Sequence, residues 1–218
     1  LLRDLRGART VGVIAEYPDK GIVEIARPVG VVGAIVPSTN PAATPINNIL
    51  NALKGRNSII LSPSPRGTST CVRLLEFVHA ELDRVGAPRD LVQQLPEPVT
   101  KELTEALMRE VDLVVATGSQ SNVRAAYASG SPAIGVGTGN VPVIVDATAD
   151  LADAAAKIVA SKCFDNATSC SSENSLVILD AVYRAALAAL AGQGGVLLTA
   201  EEKARLETAM WVRGKLSP

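Results

Sequence analysis

Residues 30–37 read GVVGAIVP, an apolar run rich in β-branched side chains that ends at a proline. A run without alternating polar residues is typical of a parallel strand that is buried on both faces. Similar runs recur at residues 58–62 (SIILS) and 112–116 (DLVVA), and a helical pattern follows each of them. Strand–helix alternation of this kind predicts a doubly wound parallel α/β sheet with helices on both faces.

The alternation continues on both sides of this run. Towards the amino terminus, residues 10–16 and 22–27 are β-rich and flank the turn sequence YPDKG, which predicts a hairpin. Asp150 is predicted to cap the helix that follows it. The periodicity predicts helices at 45–54, 68–85, 99–109, 117–129, 150–164, 181–191 and 200–210, and further strands at 91–95, 133–137, 142–146, 175–180 and 195–198.

The composition argues against several classes of function. Of the 218 residues, 47% are apolar and 20% charged, and the net charge of −1 gives no surplus of cations for nucleic-acid binding. The apolar runs are shorter than the roughly 20 residues that a membrane span needs, and no secretory signal is visible. Three cysteines without CxxC spacing and a single histidine argue against a disulfide framework or a zinc site. We therefore expect a reduced cytoplasmic protein without metal, nucleic acid or membrane as partner.

Three strand ends carry chemically useful side chains, and ligands of open parallel sheets bind at such ends. Asn40 lies between two prolines, where it is either a turn residue or an amide donor to a developing oxyanion. Residues 62–65 (SPSP) form either a plain connecting loop or part of a binding crevice. Residues 117–119 (TGS) precede a helix, so they form either a helix cap or a phosphate seat. The dinucleotide fingerprint GxGxxG does not occur in the sequence.

The cysteines differ in their sequence surroundings. Cys71 lies in a helical pattern and is predicted to be a small core side chain, and Cys163 at a helix end is predicted to be structural. Cys170 lies in a loop of small polar residues, NATSCSSEN, where an accessible thiolate can act as a nucleophile. His79, the only histidine, lies mid-helix, so no Cys–His pair is predicted.

Five stretches, in this order, resemble the aldehyde dehydrogenase superfamily. They are residues 27–41 (RPVGVVGAIVPSTNP), 58–67 (SIILSPSPRG), 116–119 (ATGS), 132–145 (PAIGVGTGNVPVIV) and 161–175 (SKCFDNATSCSSENS). They are most similar to the coenzyme-A-acylating branch, which includes acetaldehyde, propionaldehyde and sulfoacetaldehyde dehydrogenases.

The resemblance implies a mechanism and a set of site residues. Cys170 matches the nucleophile that attacks the aldehyde, and Asn40 matches the oxyanion-hole asparagine, with the backbone N–H of Cys170 as second donor. NAD or NADP takes the hydride, and coenzyme A then takes the acyl group from the cysteine. The family's cofactor crevice corresponds here to Val36, Pro37, Ser38, Ser62, Pro63, Ser64, Gly118 and Ser119.

The resemblance also implies how the chain is divided. Residues 1–28 are expected to carry an oligomerisation hairpin, residues 29–145 to form a partial dinucleotide-binding domain, and residues 146–218 to begin the catalytic domain with the nucleophile. Since this is about half of such an enzyme, we expect the chain alone to be inactive. The intact enzyme is expected to be a homo-oligomer in the cytoplasm or, alternatively, in a bacterial microcompartment.

Two departures from the family pattern bear on the reaction. Hydrolytic members activate water with a glutamate, and Val136 occupies the corresponding position, which favours acyl transfer to coenzyme A over hydrolysis. Ser64 stands where acylating relatives often carry a histidine. This implies altered binding of cofactor or coenzyme A, or another substrate, for which sulfoacetaldehyde is one candidate. A hydrolytic aldehyde or semialdehyde dehydrogenase and a non-catalytic assembly module are the alternative interpretations.

Overall fold

A computed structural model describes residues 2–212 and 215–216, and the chain divides into two units, residues 1–139 and 140–218. The first unit contains α1 (Leu2–Arg6), β1 (Gly12–Tyr17), β2 (Ile22–Ala26), β3 (Val31–Val36), α2 (Ala43–Lys54), β4 (Ser58–Pro63), α3 (Thr68–Arg84), β5 (Val92–Gln94), α4 (Lys101–Glu110), β6 (Leu113–Thr117), α5 (Gln120–Tyr127) and β7 (Ala133–Val136). The second contains β8 (Pro142–Val145), α6 (Leu151–Cys163), β9 (Ser175–Ile178), α7 (Tyr183–Gly192), α8 (Ala200–Met210), β10 (Trp211–Val212) and β11 (Lys215–Leu216).

Strands β3 to β7 form one parallel sheet in the order β5-β4-β3-β6-β7. The central strand β3 pairs with β4 on one side and with β6 on the other. The strand order reverses between β3 and β6, because the connections first run outward from β3 to β5 and then from β6 to β7. The carboxyl ends of β3 and β6 therefore flank the switch point at which open α/β sheets bind ligands.

Successive side chains of a strand point to opposite faces of the sheet, so the buried strands contribute to two separate clusters. Val32, Ala34 and Val36 of β3 pack with side chains of α2 and α3 on one face. Ile35 packs with side chains of α4 and α5 on the other face. Helices thus cover both faces, which confirms the doubly wound sheet and explains why residues 30–37 contain no polar side chain.

The predicted hairpin is also present. β1 and β2 pair antiparallel, and Pro18–Lys20 form a 3-10 turn between them. The Thr10 hydroxyl donates a hydrogen bond of 2.7 Å to the carbonyl of Lys54, which attaches the base of the hairpin to the end of α2. Most apolar side chains of the hairpin are exposed, namely Val13, Ile14, Tyr17, Ile22, Val23 and Ile25.

The second unit has a smaller core. β8 and β9 pair in parallel, and α6 packs against α7. The predicted cap of α6 is confirmed, because the Asp150 carboxylate accepts hydrogen bonds of 3.1 Å from the N–H groups of Ala152 and Asp153. Side chains from both strands and both helices line one small void, among them Val145, Ala155, Leu176 and Ala186.

The strand predicted at residues 195–198 is wrong. Among the described residues this segment pairs with no strand, and Val196 and Leu197 are 79% and 76% exposed. Its apolar pattern favours a strand, but a strand needs a hydrogen-bonded neighbour, and the β8–β9 sheet has two strands.

The division into units falls between residues 139 and 140, and β8 lies in the second unit because it pairs with β9. The predicted dinucleotide-binding segment, residues 29–145, also includes β8. The functional roles of the three segments, 1–28, 29–145 and 146–218, stay predictions. None of the helices within residues 2–212 combines the length and the apolar character that a membrane span requires.

Candidate active site

Asn40 lies on the exposed segment that joins the end of β3 to α2. Its side-chain oxygen Oδ1 accepts a hydrogen bond of 3.2 Å from the backbone N–H of Ala43, the first residue of α2. Because a backbone N–H can only donate, the accepting atom has to be the carboxamide oxygen. The Nδ2 group is therefore not used in this bond, and it can donate to another oxygen. The turn role and the amide-donor role use opposite ends of the same side chain, so they are compatible.

Ser62 is 3% exposed, and its hydroxyl is engaged inside the first unit. Its Oγ lies 2.8 Å from Oγ1 of Thr104, which itself donates to the carbonyl of Thr100 at 2.9 Å. The hydroxyl proton of Thr104 is therefore already donated to Thr100, so in the bond between the two hydroxyls Ser62 is the donor. The hydroxyl points to α4, because even-numbered residues of β4 face that side of the sheet. Ser62 can still shape the crevice through its backbone.

Ser64 follows β4 immediately and has an unusual hydroxyl. Its N–H donates to the carbonyl of Val36 at 3.1 Å, which joins the ends of β3 and β4. Its carbonyl accepts hydrogen bonds from the Gly67 N–H at 2.8 Å and from the Thr68 hydroxyl at 3.1 Å. Its Oγ is buried and, in the described part of the chain, has no hydrogen-bond partner. A buried hydroxyl left unpaired is costly, so Ser64 is suited to a polar ligand at this strand end.

The segments that follow β3 and β4 approach each other closely at Gly67. A Cβ at this position would lie 2.8 Å from Cβ of Pro41 and 3.3 Å from Oγ of Ser64. A side chain at residue 67 would force the two segments apart. Pro63, just before them, is fully buried and fixes the exit of β4.

Gly118 and Ser119 join β6 to α5. The Gly118 N–H donates to the carbonyl of Val136 at 3.0 Å, which extends the β6–β7 pairing and removes this N–H as a free phosphate donor. Ser119 is the N-cap of α5, and its Oγ accepts a hydrogen bond of 3.3 Å from the N–H of Asn122. The cap interpretation is therefore correct, and the positive end of the α5 dipole still faces the switch point.

The residues predicted to bind the cofactor lie together along one edge of the parallel sheet. The predicted crevice residues Val36, Pro37, Ser38, Ser62, Pro63, Ser64, Gly118 and Ser119 all lie at the carboxyl ends of β3, β4 and β6 or just beyond them. Val136, which is predicted to replace the glutamate of hydrolytic members, is the half-exposed last residue of β7. The described part of the chain has no group of three or more His, Cys, Asp or Glu residues placed to hold a metal ion.

Cys170 lies in the second unit, in a turn that the N–H of Ser172 closes on the carbonyl of Ser169 at 3.1 Å. It is exposed and is not in a disulfide. The two flanking serines bond to each other, Ser169 Oγ to Ser171 Oγ at 2.8 Å, so the thiol projects from a hydroxyl-rich turn. The expected accessibility of this thiol is confirmed.

The other two cysteines behave differently. Cys71 is fully buried, as predicted, and burial raises the pKa of its thiol to about 11. Cys163 is the last residue of α6 and is exposed, so the prediction that it packs as a structural residue is wrong. A cysteine at a helix end packs only if the helix face that carries it is covered.

Sequence reasoning missed Glu173 and Asn174. Asn174 exchanges two hydrogen bonds with Val141, N–H to carbonyl at 3.1 Å and Val141 N–H to Oδ1 at 3.2 Å. Hydrogen bonds from the backbone N–H of Glu173 and from the Ser161 hydroxyl lower the pKa of the Glu173 carboxyl, and the charge of Lys162 acts in the same direction. One signal was available, since Glu173 is the single carboxylate among the small residues that follow Cys170.

The sequence model of the aldehyde dehydrogenase family matches residues 2–199. The chain belongs to the aldehyde dehydrogenase family. It is 67% identical over 217 residues to a sulfoacetaldehyde dehydrogenase (acylating) of Cupriavidus necator, with 100% of this chain and 44% of that protein covered. This confirms the resemblance that the five stretches indicated.

Solved structures of the family have the same fold. An acetylating aldehyde dehydrogenase from Geobacillus thermoglucosidasius matches with a TM-score of 0.88 at 38% identity, covering 99% of this chain and 48% of that chain. A propionaldehyde dehydrogenase from Rhodopseudomonas palustris, solved with bound CoA and an acylated cysteine, matches with a TM-score of 0.79 at 32% identity, covering 88% and 44%. The chain thus spans about half the length of the relatives that it matches.

Proposed function

We propose that this chain supplies the nucleotide-binding residues and the nucleophile of a coenzyme-A-acylating aldehyde dehydrogenase. The overall reaction converts an aldehyde, NAD(P)+ and coenzyme A into an acyl-CoA, NAD(P)H and a proton. The observation that carries the proposal is the exposed thiol of Cys170 in its serine-rich turn. It lies in a chain of this family that is 67% identical to an acylating sulfoacetaldehyde dehydrogenase.

Cys170 forms the covalent bond to substrate in this proposal. Its thiolate attacks the aldehyde carbon, and the carbonyl oxygen becomes an oxyanion in a thiohemiacetal. Asn40 Nδ2 and the backbone N–H of Cys170 donate hydrogen bonds to that oxyanion. The fixed orientation of the Asn40 carboxamide supports this role, because its oxygen is already held by Ala43.

The carboxyl edge of the parallel sheet is the proposed cofactor site. A nicotinamide dinucleotide held there would supply the hydride acceptor for this oxidation, and Cys170 would then keep the acyl group as a thioester. The buried hydroxyl of Ser64 and the amino-terminal end of α5 are the groups that we propose to hold it. Val36, Pro37, Ser38, Pro63 and Gly118 shape the same crevice.

The thioester then needs a nucleophile. Residues 133–145 contain no carboxylate to activate water, and Val136 is apolar. We propose that the thiol of coenzyme A attacks the acyl carbon, forms the new C–S bond and releases the Cys170 thiolate. Because thiols attack thioesters readily, this step does not require the water-activating glutamate of hydrolytic members.

The similarity to an acylating sulfoacetaldehyde dehydrogenase leads us to propose sulfoacetaldehyde as the substrate. We further propose that the β1–β2 hairpin pairs subunits, because six of its apolar side chains are exposed. The three free cysteines favour a reducing location such as the cytoplasm.

The nucleophile is tested in the full-length enzyme by replacing one exposed cysteine at a time. Cys170→Ala is expected to lower aldehyde-dependent NAD(P)H formation by at least about a thousandfold, because the covalent step is lost. Cys163→Ala is the matched control, since this thiol is exposed in the same unit, and it is expected to leave turnover unchanged. Undiminished turnover in Cys170→Ala would contradict the proposal and favour a non-catalytic role for this fold.

The product distinguishes acyl transfer from hydrolysis. With sulfoacetaldehyde and coenzyme A, mass spectrometry is expected to detect the acyl-CoA and little free acid. Free acid as the main product, formed equally fast without coenzyme A, would instead identify a hydrolytic enzyme.

A further inference from the structure

The segment that carries Asn40 lies against the loop that follows β4. Pro41, the next residue, approaches this loop at Gly67, where a Cβ would lie only 2.8 Å from Cβ of Pro41. Gly67 is buried, and Asn40 is exposed directly beside this contact. The close approach at Gly67 therefore bears on the position of the residue that we propose as oxyanion donor.

The backbone at residue 67 does not itself require glycine. Its φ of −105° and ψ of −1° are close to those of the third residue of a type I turn, a conformation that is compatible with most residues. Gly67 is also the N-cap of α3, a position at which serine would bond to the helix and glycine does not. Glycine at this position is thus explained by the space that it leaves.

The loop on which Gly67 lies is held by its own hydrogen bonds. The Gly67 N–H donates to the carbonyl of Ser64 at 2.8 Å, and the Gly67 carbonyl accepts from the N–H of Cys71 at 3.0 Å. Thr68 is 8% exposed, and its hydroxyl donates to the same Ser64 carbonyl at 3.1 Å. Because these bonds hold residue 67 in place, a side chain added there displaces Pro41 more readily than the loop.

The segment around Asn40 has a more local attachment. The Asn40 side chain accepts its hydrogen bond of 3.2 Å from Ala43, three residues further along the same segment. Residues 38–40 and 42–43 are exposed, whereas Pro41 between them is partly buried. Pro41 is therefore the residue through which this segment packs against the loop after β4.

We propose that Gly67 is a positioning residue for Asn40: because it has no side chain, Pro41 packs against the loop, and this contact sets where the Asn40 amide meets the oxyanion. The inference rests on the proposed function of Asn40 as oxyanion donor. Carbon atoms in contact prefer about 3.5–4.0 Å, so a Cβ at residue 67 would push Pro41 away by roughly 1 Å. A misplacement of about 1 Å in a catalytic group costs on the order of a hundredfold in rate.

The test measures the burst of NAD(P)H that the full-length enzyme forms from aldehyde before coenzyme A is added. Gly67→Ala is expected to lower the burst rate constant by about 10–100-fold and to leave the Kd for the nucleotide within about threefold, because the loop itself stays in place. Gly192→Ala is the matched control. It adds the same methyl group at the exposed end of α7, where a Cβ meets no described atom within 4 Å, and it is expected to leave the burst unchanged.

Gly67→Ser separates positioning from helix capping. Serine adds the same Cβ as alanine but is a better N-cap, so Tm is expected to fall less than in Gly67→Ala. Positioning predicts a burst that is as slow as in Gly67→Ala to within about threefold. A burst as fast as that of the unmodified enzyme would show that Gly67 matters for the start of α3 alone, which overturns the inference. Gly67→Ser also carries the test if Gly67→Ala does not fold.

A double-mutant cycle shows whether Gly67 acts through Pro41. Pro41→Gly removes the Cβ that a side chain at residue 67 would meet, and it is itself expected to slow the burst severalfold, because residue 41 loses its fixed φ. In this background Gly67→Ala is expected to cost less than about twofold more, since the two side chains share one contact. Losses that multiply would contradict a role through Pro41 and overturn the inference.

Asn40→Ala distinguishes a failure of the inference from a failure of the proposed function. It is expected to slow the burst by at least about a hundredfold, because an oxyanion donor is lost. An undiminished burst in Asn40→Ala would remove the proposed role of Asn40 and the inference with it. A slow Asn40→Ala together with an unchanged burst in Gly67→Ala overturns the inference alone.

Discussion

The two units of this chain bury their apolar side chains to very different extents. In the first unit, the sheet has five strands, and helices on both faces create two core clusters with many fully buried residues. In the second unit the β8–β9 sheet has two strands, and the buried side chains are Val145, Ala155, Ser172 and Ala186 among the described residues.

The same contrast applies to the backbone. In the first unit the positive φ angles fall on glycines, with Arg56 as the exception. In the second unit they fall on Asp165, Asn166 and Ala167, directly before the nucleophile turn, and also on Gly194. The first unit therefore confines left-handed backbone almost entirely to glycines, whereas the second presents an exposed thiol next to a segment with left-handed backbone at non-glycine residues.

The largest expected effect concerns core packing. Leu61 in β4 is fully buried, so Leu61→Ala is expected to lower the free energy of unfolding of the first unit by about 2–5 kcal/mol. Leu176 in β9 is 36% exposed, so Leu176→Ala is expected to cost the second unit only about 1 kcal/mol. Native-state hydrogen exchange, followed in β4 and in β9, measures the two units separately. Equal losses at the two sites would contradict the difference in burial.

The rates at which the three thiols react test the same difference in burial between the two units, and the expected effect is smaller. At pH 8, iodoacetamide is expected to alkylate Cys163 and Cys170 at least about 100-fold faster than Cys71, as measured by peptide mass spectrometry. Cys71 is shielded and its pKa is about 11, so its reactive thiolate is scarce until the pH approaches that value. In denaturant the three rates are expected to converge, and rapid alkylation of Cys71 in the folded chain would show that the first unit opens readily.

The smallest expected effect has the opposite sign. Ala167 has φ of 59°, so Ala167→Gly is expected to stabilise the second unit by about 0.5–1 kcal/mol, because glycine adopts this conformation without a Cβ clash. Ala185→Gly is the matched control: this exposed alanine of α7 is right-handed helical, so its replacement is expected to destabilise by about 1 kcal/mol. Urea unfolding of both variants measures the difference, and destabilisation by Ala167→Gly would argue against the left-handed backbone.

Much of the fold was predictable because the relevant signals are local. The run at residues 30–37 is apolar at every position that faces a layer of helices. Short sequence patterns also located the helix of residues 200–210 and the helix cap at Asp150. The strand predicted at residues 195–198 is wrong because a strand must pair with a neighbouring strand, and a local sequence pattern does not show whether that neighbour exists. The same limit explains Cys163, whose exposure depends on what covers its helix face.

In the candidate site, too, local features were predictable and contacts between distant residues were not. Cys170 and Asn40 were identified from their sequence neighbourhoods and the resemblance to the family, and their joint role in catalysis stays a prediction. Ser62 is predicted to line the crevice, but its hydroxyl bonds to Thr104, which lies 42 positions away in the sequence.

The sequence by itself determined the order of strands and helices from β1 to α7, the family and the identity of the exposed loop that carries a cysteine. These follow from hydrophobic period, turn residues and short motifs, which act within a few positions. Only the tertiary structure decided that β3 lies beside β6, that the Ser62 hydroxyl bonds to Thr104, and that the turn of Cys170 is fixed from its carboxyl side. Those outcomes depend on hydrogen bonds and packing between distant segments, and only the folded chain brings such segments together.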